Sequence, residues 1–355
     1  MSSKIRRHMI PLGTVLCALL LYSFDPAFSQ TPFYEGKTIT LIVGSGPGGM
    51  GDLRARALAS VLVQHIPGKP TVVFEYMPGG GGRKSANHFY NSVRPDGLTL
   101  LRVSSSIVPY AVLGEKGVKY DIDKFNYLGT TEHQLYYLFF TRKAAGLSNL
   151  EKLRAARGIR IGSNPVGHTS YIQSRIIAYL LDLKEPQFIP GYEGQDLDVA
   201  ISRGEVDARV TTTGTVIQMD LLKDKTADFH AAIEIPKGNK DARFTQLNLP
   251  DIEQFAKSTK EKQLLNMMRG FRGVGTILML PPGAPKDIVA TMKTAVEKTH
   301  ADPAFQKEYK KLTGGDEPSP LTPDDQAKVV KDLPRDPELI ALFKQFSATG
   351  PLPAR

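Results

Sequence analysis

Cysteine is almost absent from this chain: one residue in 355, Cys17. It sits in an apolar stretch near the N-terminus and is preceded by Leu16, where a lipoprotein cleavage site wants Gly or Ala, so lipidation is not expected there. Removal of residues 1–29 leaves no cysteine at all. That excludes disulfides, thiolate metal sites, iron–sulfur clusters and a cysteine nucleophile. A long hydrophobic run is lacking too. The best candidate, roughly Met9 to Leu21, is shorter than the ~18 to 20 residues that span a bilayer, and Pro11 interrupts it. Catalytic signatures are missing as well. No serine stands in G-x-S-x-G, no Gly-Lys-Ser/Thr phosphate loop occurs, and His65, His88, His133, His168, His230 and His300 form neither H-E-x-x-H nor a close pair. No catalytic residue, metal or cofactor is expected.

The N-terminus reads as an export signal. Lys4, Arg6 and Arg7 precede the apolar run, and Ala27-Phe28-Ser29 supplies small-x-small before a cleavage expected ahead of Gln30. This predicts a signal peptide over residues 1–29 and a periplasmic mature chain. The formal charge is +9; losing three cations and one acid with the signal leaves about +7. The basic residues are dispersed among acidic ones, so no nucleic-acid partner is expected, and attraction of anionic solutes fits the charge at least as well. Roughly 325 residues remain, enough for two domains with a core each.

The rest alternates between strand and helix. Thr38 to Val43 is β-rich, a glycine loop runs from Gly44 to Gly51, and Leu53, Ala57, Leu58, Val61 and Leu62 mark one face of a helix from about Asp52 to His65. Strands over Thr71–Tyr76 and Leu98–Val103 flank a short helix, Lys84–Asn91. This is the rhythm of a parallel sheet with covering helices. A second series begins with a strand over Leu135–Thr141. Ser148 and Glu151, at capping-box spacing, open a helix closed by Gly158. A strand over Ile159–Ile161 then enters the loop Gly162 to His168, and Ser170 opens the next helix. Gln187–Ile189 is a strand, Asp196–Arg203 a helix and Val206–Thr212 a strand. Thr276–Leu280 is a further strand, and the tail is helical with proline breaks.

Two strand-to-helix glycine loops, Gly44–Asp52 and Gly162–Ser170, are the candidate sites. Glycine leaves no Cβ between amides and ligand. The first amides of a helix lack intrahelical acceptors and carry the positive end of its dipole, so they bind carboxylate or phosphate. Two such ends facing one cleft would hold both ends of a dicarboxylate; the alternative is that each is only a tight connection. Gly44-Ser45-Gly46-Pro47-Gly48-Gly49 also matches G-x-G-x-x-G, which leaves open an exported dinucleotide-dependent oxidoreductase. The acid ending the second strand, Glu75, lies 26 positions after Gly49, beyond the usual distance of about 20. Asp52 reads as a helix N-cap that fixes the loop. Ser104, Ser105 and Ser106 follow the third strand at the same sheet edge. Tyr192 and Gln195 flank Gly194, and Thr211, Thr212 and Thr213 end a strand; both groups offer side-chain hydrogen bonds. His168 is the one histidine in a candidate loop.

Thr38 to Asp52, with Pro47-Gly48-Gly49-Met50-Gly51-Asp52 and then Ala55-Arg56, resembles the first loop of the substrate-binding proteins of tripartite tricarboxylate transporters, the Bug-type receptors. His65-Ile66-Pro67-Gly68-Lys69-Pro70, Met77 through Gly82, Pro95-Asp96-Gly97, Gly204-Glu205-Val206-Asp207 and Pro281-Pro282-Gly283-Ala284-Pro285 are similar to further family elements, in order along nearly the whole mature chain. The resemblance implies an α/β type II periplasmic binding protein, a Venus flytrap. Its domains would be 30–139 plus 276–355, and 140–275, joined by a two-crossing hinge near Phe140 and Gly275. It implies a monomer that passes a small carboxylate to membrane permease subunits. It also implies that backbone amides and waters of Pro47–Asp52 and Gly162–Thr169 hold the ligand, giving Ser45, Pro47, Gly48, Gly49, Met50, Asp52, Ser104, Ser105, Ser163, Asn164, His168, Thr169, Tyr192 and Thr212 as expected ligand-binding residues. Met50 in place of a usual glycine, Tyr76 in place of Asn, and Pro165 and His168 in the second loop depart from the family pattern.

Overall fold

The structure, a computed structural model, describes residues 31–193 and 195–355; the expected signal peptide and its cleavage site, and Gly194, lie outside the described residues. The chain forms two lobes, each built on a five-stranded sheet. In the first lobe β1 (Thr38–Val43), α1 (Met50–His65), β2 (Thr71–Tyr76), α2 (Arg83–Ser92), β3 (Thr99–Val103), α3 (Ile107–Val112) and β4 (Asn126–Tyr127) follow in order. The second lobe contains β5 (Leu135–Arg142), α4 (Leu150–Ala155), β6 (Arg160–Gly162), α5 (Thr169–Leu180), β7 (Gln187–Ile189), α6 (Asp196–Arg203), β8 (Ala208–Thr212), α7 (Thr213–Gln218), β9 (Ala227–Ile235) and α8 (Thr259–Gly273). The chain then returns through β10 (Ile277–Leu280), α9 (Lys286–Ala301), α10 (Pro303–Thr313), α11 (Pro323–Lys331) and α12 (Pro337–Ser347).

The two sheets repeat one plan. Strand order is β2-β1-β3-β10-β4 in the first and β7-β6-β8-β5-β9 in the second. In each, three parallel strands adjoin an antiparallel one, β10 beside β3 and β5 beside β8. The β-branched run Thr38–Val43 suits a strand flanked on both sides, and Ile39, Leu41, Ile42 and Val43 are buried. The apolar stripe of α1 buries Ala55, Leu58 and Leu62 beneath α9 and α10. Each such leucine contributes about 1.5–3 kcal/mol by leaving water. Asp302 caps α10 by accepting from the Ala304 amide, and Pro303 stands in its first turn.

Several expected boundaries shift. The first change of sheet falls between Tyr127 and Leu135, not near Phe140, because β5 lies wholly in the second sheet, where it pairs with β8 and β9. The chain returns through Gly275, between α8 and β10. Gly275 has a φ of +72°, and a Cβ there would collide with the Glu132 carbonyl of the other crossing segment, so the two crossing segments touch backbone to backbone. Beyond these two crossings the chain passes over a third time. Helix α12 packs on α5 and α8 of the second lobe, so the tail of the 276–355 segment leaves the first lobe. Arg175 secures it by donating to the carbonyls of Gln345, Gly350 and Pro351. Helix α4 is capped by Asn149, not Ser148, and ends at Ala155, before Gly158. Strand β9 and helix α8 fill a stretch the sequence pattern left unassigned. Helix α8 is opened by a capping box, Ser258 with Glu261. No helix among the described residues is long and apolar enough to cross a membrane.

Candidate functional site

Between the lobes lies a cavity of about 220 Å³, and both glycine loops face it. Ser45, Gly49, Met50 and Gly51 line it from the first loop; Asn164, His168, Thr169 and Ser170 line it from the second. Ser104 comes from the end of β3 and Thr212 from the end of β8. The lobes are drawn together around it. Gln195 Nε2 donates to the Gly48 carbonyl at 2.7 Å, and the Thr169 amide donates to Ser106 Oγ at 3.1 Å.

The two loops differ in what their amides do. Helix α1 starts after Gly49, which has no side chain to cap it. The amides of Met50 and Gly51 therefore find no acceptor among the described residues, and both residues line the cavity at the positive end of the helix dipole. Helix α5 starts at Thr169, not Ser170, and its cap is the His168 ring, whose Nδ1 accepts from the Ser170 amide at 3.1 Å. With Ser106 taking the Thr169 amide and His168 the Ser170 amide, the two residues of the second helix end that line the cavity have both spent their amides inside the protein. The expected symmetric pair of amide clusters is thus one open cluster and one closed.

Side chains supply the second lobe's share instead. Arg272 of α8 reaches the cavity and donates from Nη1 to Ser105 Oγ and Thr169 Oγ1, both at 2.9 Å, and from Nη2 to the Tyr137 hydroxyl. Among the described residues no carboxylate pairs with it, whereas the other three arginines on the cavity wall are paired. Arg54 is bound to Glu132 and Asp316, Arg102 to Glu132, and Arg209 to Asp198. Gln173, from the second turn of α5, completes the wall of that lobe. Glu193 also lines it, and burial raises its carboxyl above the ordinary range. The accepting Nδ1 places the His168 proton on Nε2, 3.4 Å from Ser104 Oγ. Burial, then the charge of Arg272, push the His168 pKa down to about 3, so the ring is neutral at ordinary pH.

Other expected site residues support the wall without forming it. Asp52 is not an N-cap: it lies inside α1, 2% exposed, and accepts from the Gly48 amide at 2.8 Å, from Arg56 Nε at 3.1 Å and from the Tyr76 hydroxyl at 2.6 Å. Burial pushes its carboxyl up, but the bonds from Tyr76, Gly48 and Arg56 together hold it below the usual range. It fixes the loop at Gly48, whose φ of +80° suits glycine. Pro47 is exposed and stands off the cavity. Ser105 and Ser163 are buried behind it, and Tyr192 does not line it: its carbonyl accepts from Asn164 Nδ2 at 3.0 Å and its amide donates to the Ser163 carbonyl at 3.3 Å. Glu75 is exposed on edge strand β2 and does not line the cavity.

The sequence reading named neither the arginines nor Gln173 as site residues. Two carried a usable signal. Arg102 interrupts Leu100–Val103 and Arg209 interrupts Ala208–Val210, and a charge inside an otherwise apolar strand is the informative exception to burial. Among the described residues no cluster of three or more groups is placed to hold a metal ion.

No protein-family model matches the chain, and no curated protein sequence does. Solved structures do. The periplasmic binding protein BugD superposes with a TM-score of 0.66 at 21% identity, over 88% of this chain and 98% of its own. MatC from Rhodopseudomonas palustris, solved with bound malate, gives 0.66 at 19% identity, over 88% and 99%. Another R. palustris protein, solved with adipate, gives 0.63 at 18% identity, over 88% and 96%. The chain has the two-lobed α/β fold of these Bug- and TctC-type periplasmic binding proteins.

Proposed function

We propose that the chain is an exported, periplasmic receptor of the tripartite tricarboxylate transporter type. In this reading it captures a small di- or tricarboxylate, or an aromatic acid, between its lobes and delivers it to membrane permease subunits without converting it. One observation carries the reading. The open amides of Met50 and Gly51 share a cavity with Arg272, a guanidinium with no carboxylate partner among the described residues. An anionic guest would accept from the helix end on one side and neutralise the arginine on the other, contacts available together only while the lobes are closed. Ligand affinity for the closed state would then drive a hinge motion about the crossing segments. The binding of malate and adipate by proteins of the same fold supports this chemistry.

A thermal-shift panel of mono-, di- and tricarboxylates, amino acids and NAD(P) on the mature protein tests it. A carboxylate at 100 times its Kd should stabilise the fold by about 2.7 kcal/mol through mass action. Stabilisation by NAD(P) alone would replace the receptor with the oxidoreductase.

A further inference from the structure

Gln173 is 1% exposed, lines the cavity, and finds no hydrogen-bond partner for either its amide oxygen or its amide nitrogen. It stands on α5 one turn beyond Thr169, on the same wall as Arg209, Thr211 and Thr215. Whichever way the amide is turned, it presents one acceptor and two donors. A buried amide left unmet destabilises the fold, and the other buried polar side chains beside it on α5 are met: Thr169 accepts from Arg272, Ser174 donates to the Ser170 carbonyl, and Arg175 donates to carbonyls of the tail.

Resting on the carboxylate reading of this site, we infer that Gln173 is a specificity-determining residue that reads a hydroxyl on the ligand. A carboxylate meets the amide donors but leaves the amide oxygen bare, because an ionised acid has no proton to give. A hydroxyl both donates and accepts, so a hydroxy acid satisfies Gln173 where its deoxy analogue does not. A site built to pair with a ligand hydroxyl rejects the analogue lacking it far more strongly than an apolar pocket distinguishes a methylene.

Matched pairs that differ by one hydroxyl test this by calorimetric titration: succinate with malate, glutarate with 2-hydroxyglutarate, tricarballylate with citrate. In the pair whose length fits, the hydroxy acid should bind at least about tenfold tighter. Gln173→Met, close in volume and without polar groups, should bring the two members within about twofold by holding the deoxy acid and losing the hydroxy acid. The melting temperature of the unliganded Gln173→Met protein should rise, since the unmet amide is gone; Gln173→Glu, which keeps the acceptor, should retain part of the preference. Equal binding of both members by the parent protein, or a preference unchanged in Gln173→Met, overturns the role of Gln173 while leaving the carboxylate reading intact. Failure of every carboxylate to bind overturns both.

Discussion

The loops Gly44–Asp52 and Gly162–Ser170 have the same grammar and reach the same cavity, yet only the first keeps its amides for a guest. The difference is set by one position at each helix start. Gly49 carries no side chain, so α1 begins uncapped; His168 folds its ring over the Ser170 amide, and Ser106 of the other lobe takes the Thr169 amide. In the proposed function the first end is the anion site, while the second is a latch between the lobes. The positive charge missing from the second end is provided by Arg272.

The largest test of that contrast removes the arginine. Arg272→Met should weaken carboxylate binding by about 2–5 kcal/mol, the range for truncating one partner of a buried charge pair. Titration calorimetry reads it; an unchanged Kd would leave the second lobe without a role in charge recognition. Next is a single amide. Met50 is the first residue of α1 and Gly49 before it is extended, so Met50→Pro fits the helix start while deleting one N–H. Binding should fall by about 1.5–3 kcal/mol, the range for a hydrogen bond to a charged group, while Met50→Ala, which keeps the amide, should bind nearly as the parent does.

A third test uses pH. The folded His168 resists protonation down to about 3, whereas the ordinary histidine value is 6.5. Between those values the unfolded chain binds a proton that the folded chain refuses. The stability due to this group is therefore complete above about pH 6.5 and is lost as pH falls toward 3. Melting temperatures should decline from pH 6.5 to pH 4. They should decline less steeply in His168→Asn, which can still cap α5. His230 and His300, each pushed down to about 4 by burial, slope the same way in both proteins. The smallest effect is expected from the latch. Ser106→Ala frees the Thr169 amide and removes a contact between lobes, so affinity should drop by about 1 kcal/mol through weaker closure. A tighter complex would show instead that the freed amide joins the ligand site.

Local features made much of this legible beforehand. The β-branched run Thr38–Val43, the stripe of α1 and the punctuation of the glycine loops each act within a few residues, and they produced two repeated α/β halves meeting at one cleft. Illegible were the facts that depend on partners far away in sequence. Whether the Thr169 amide is free rests on Ser106, and the pairing of Arg54 and Arg102 rests on Asp316 and Glu132. The tail crosses to the second lobe because Arg175 collects its carbonyls, a bond between residues about 170 positions apart. No periodicity or cap announces such contacts.

Amide NMR of the ¹⁵N-labelled mature protein, titrated with a bound carboxylate, tests the asymmetry most directly. Met50 and Gly51 should show large downfield proton shifts as they begin to donate to an anion, while Thr169 and Ser170, already donating within the protein, should move little. Large shifts at Thr169 and Ser170 with Met50 and Gly51 unmoved would contradict the account.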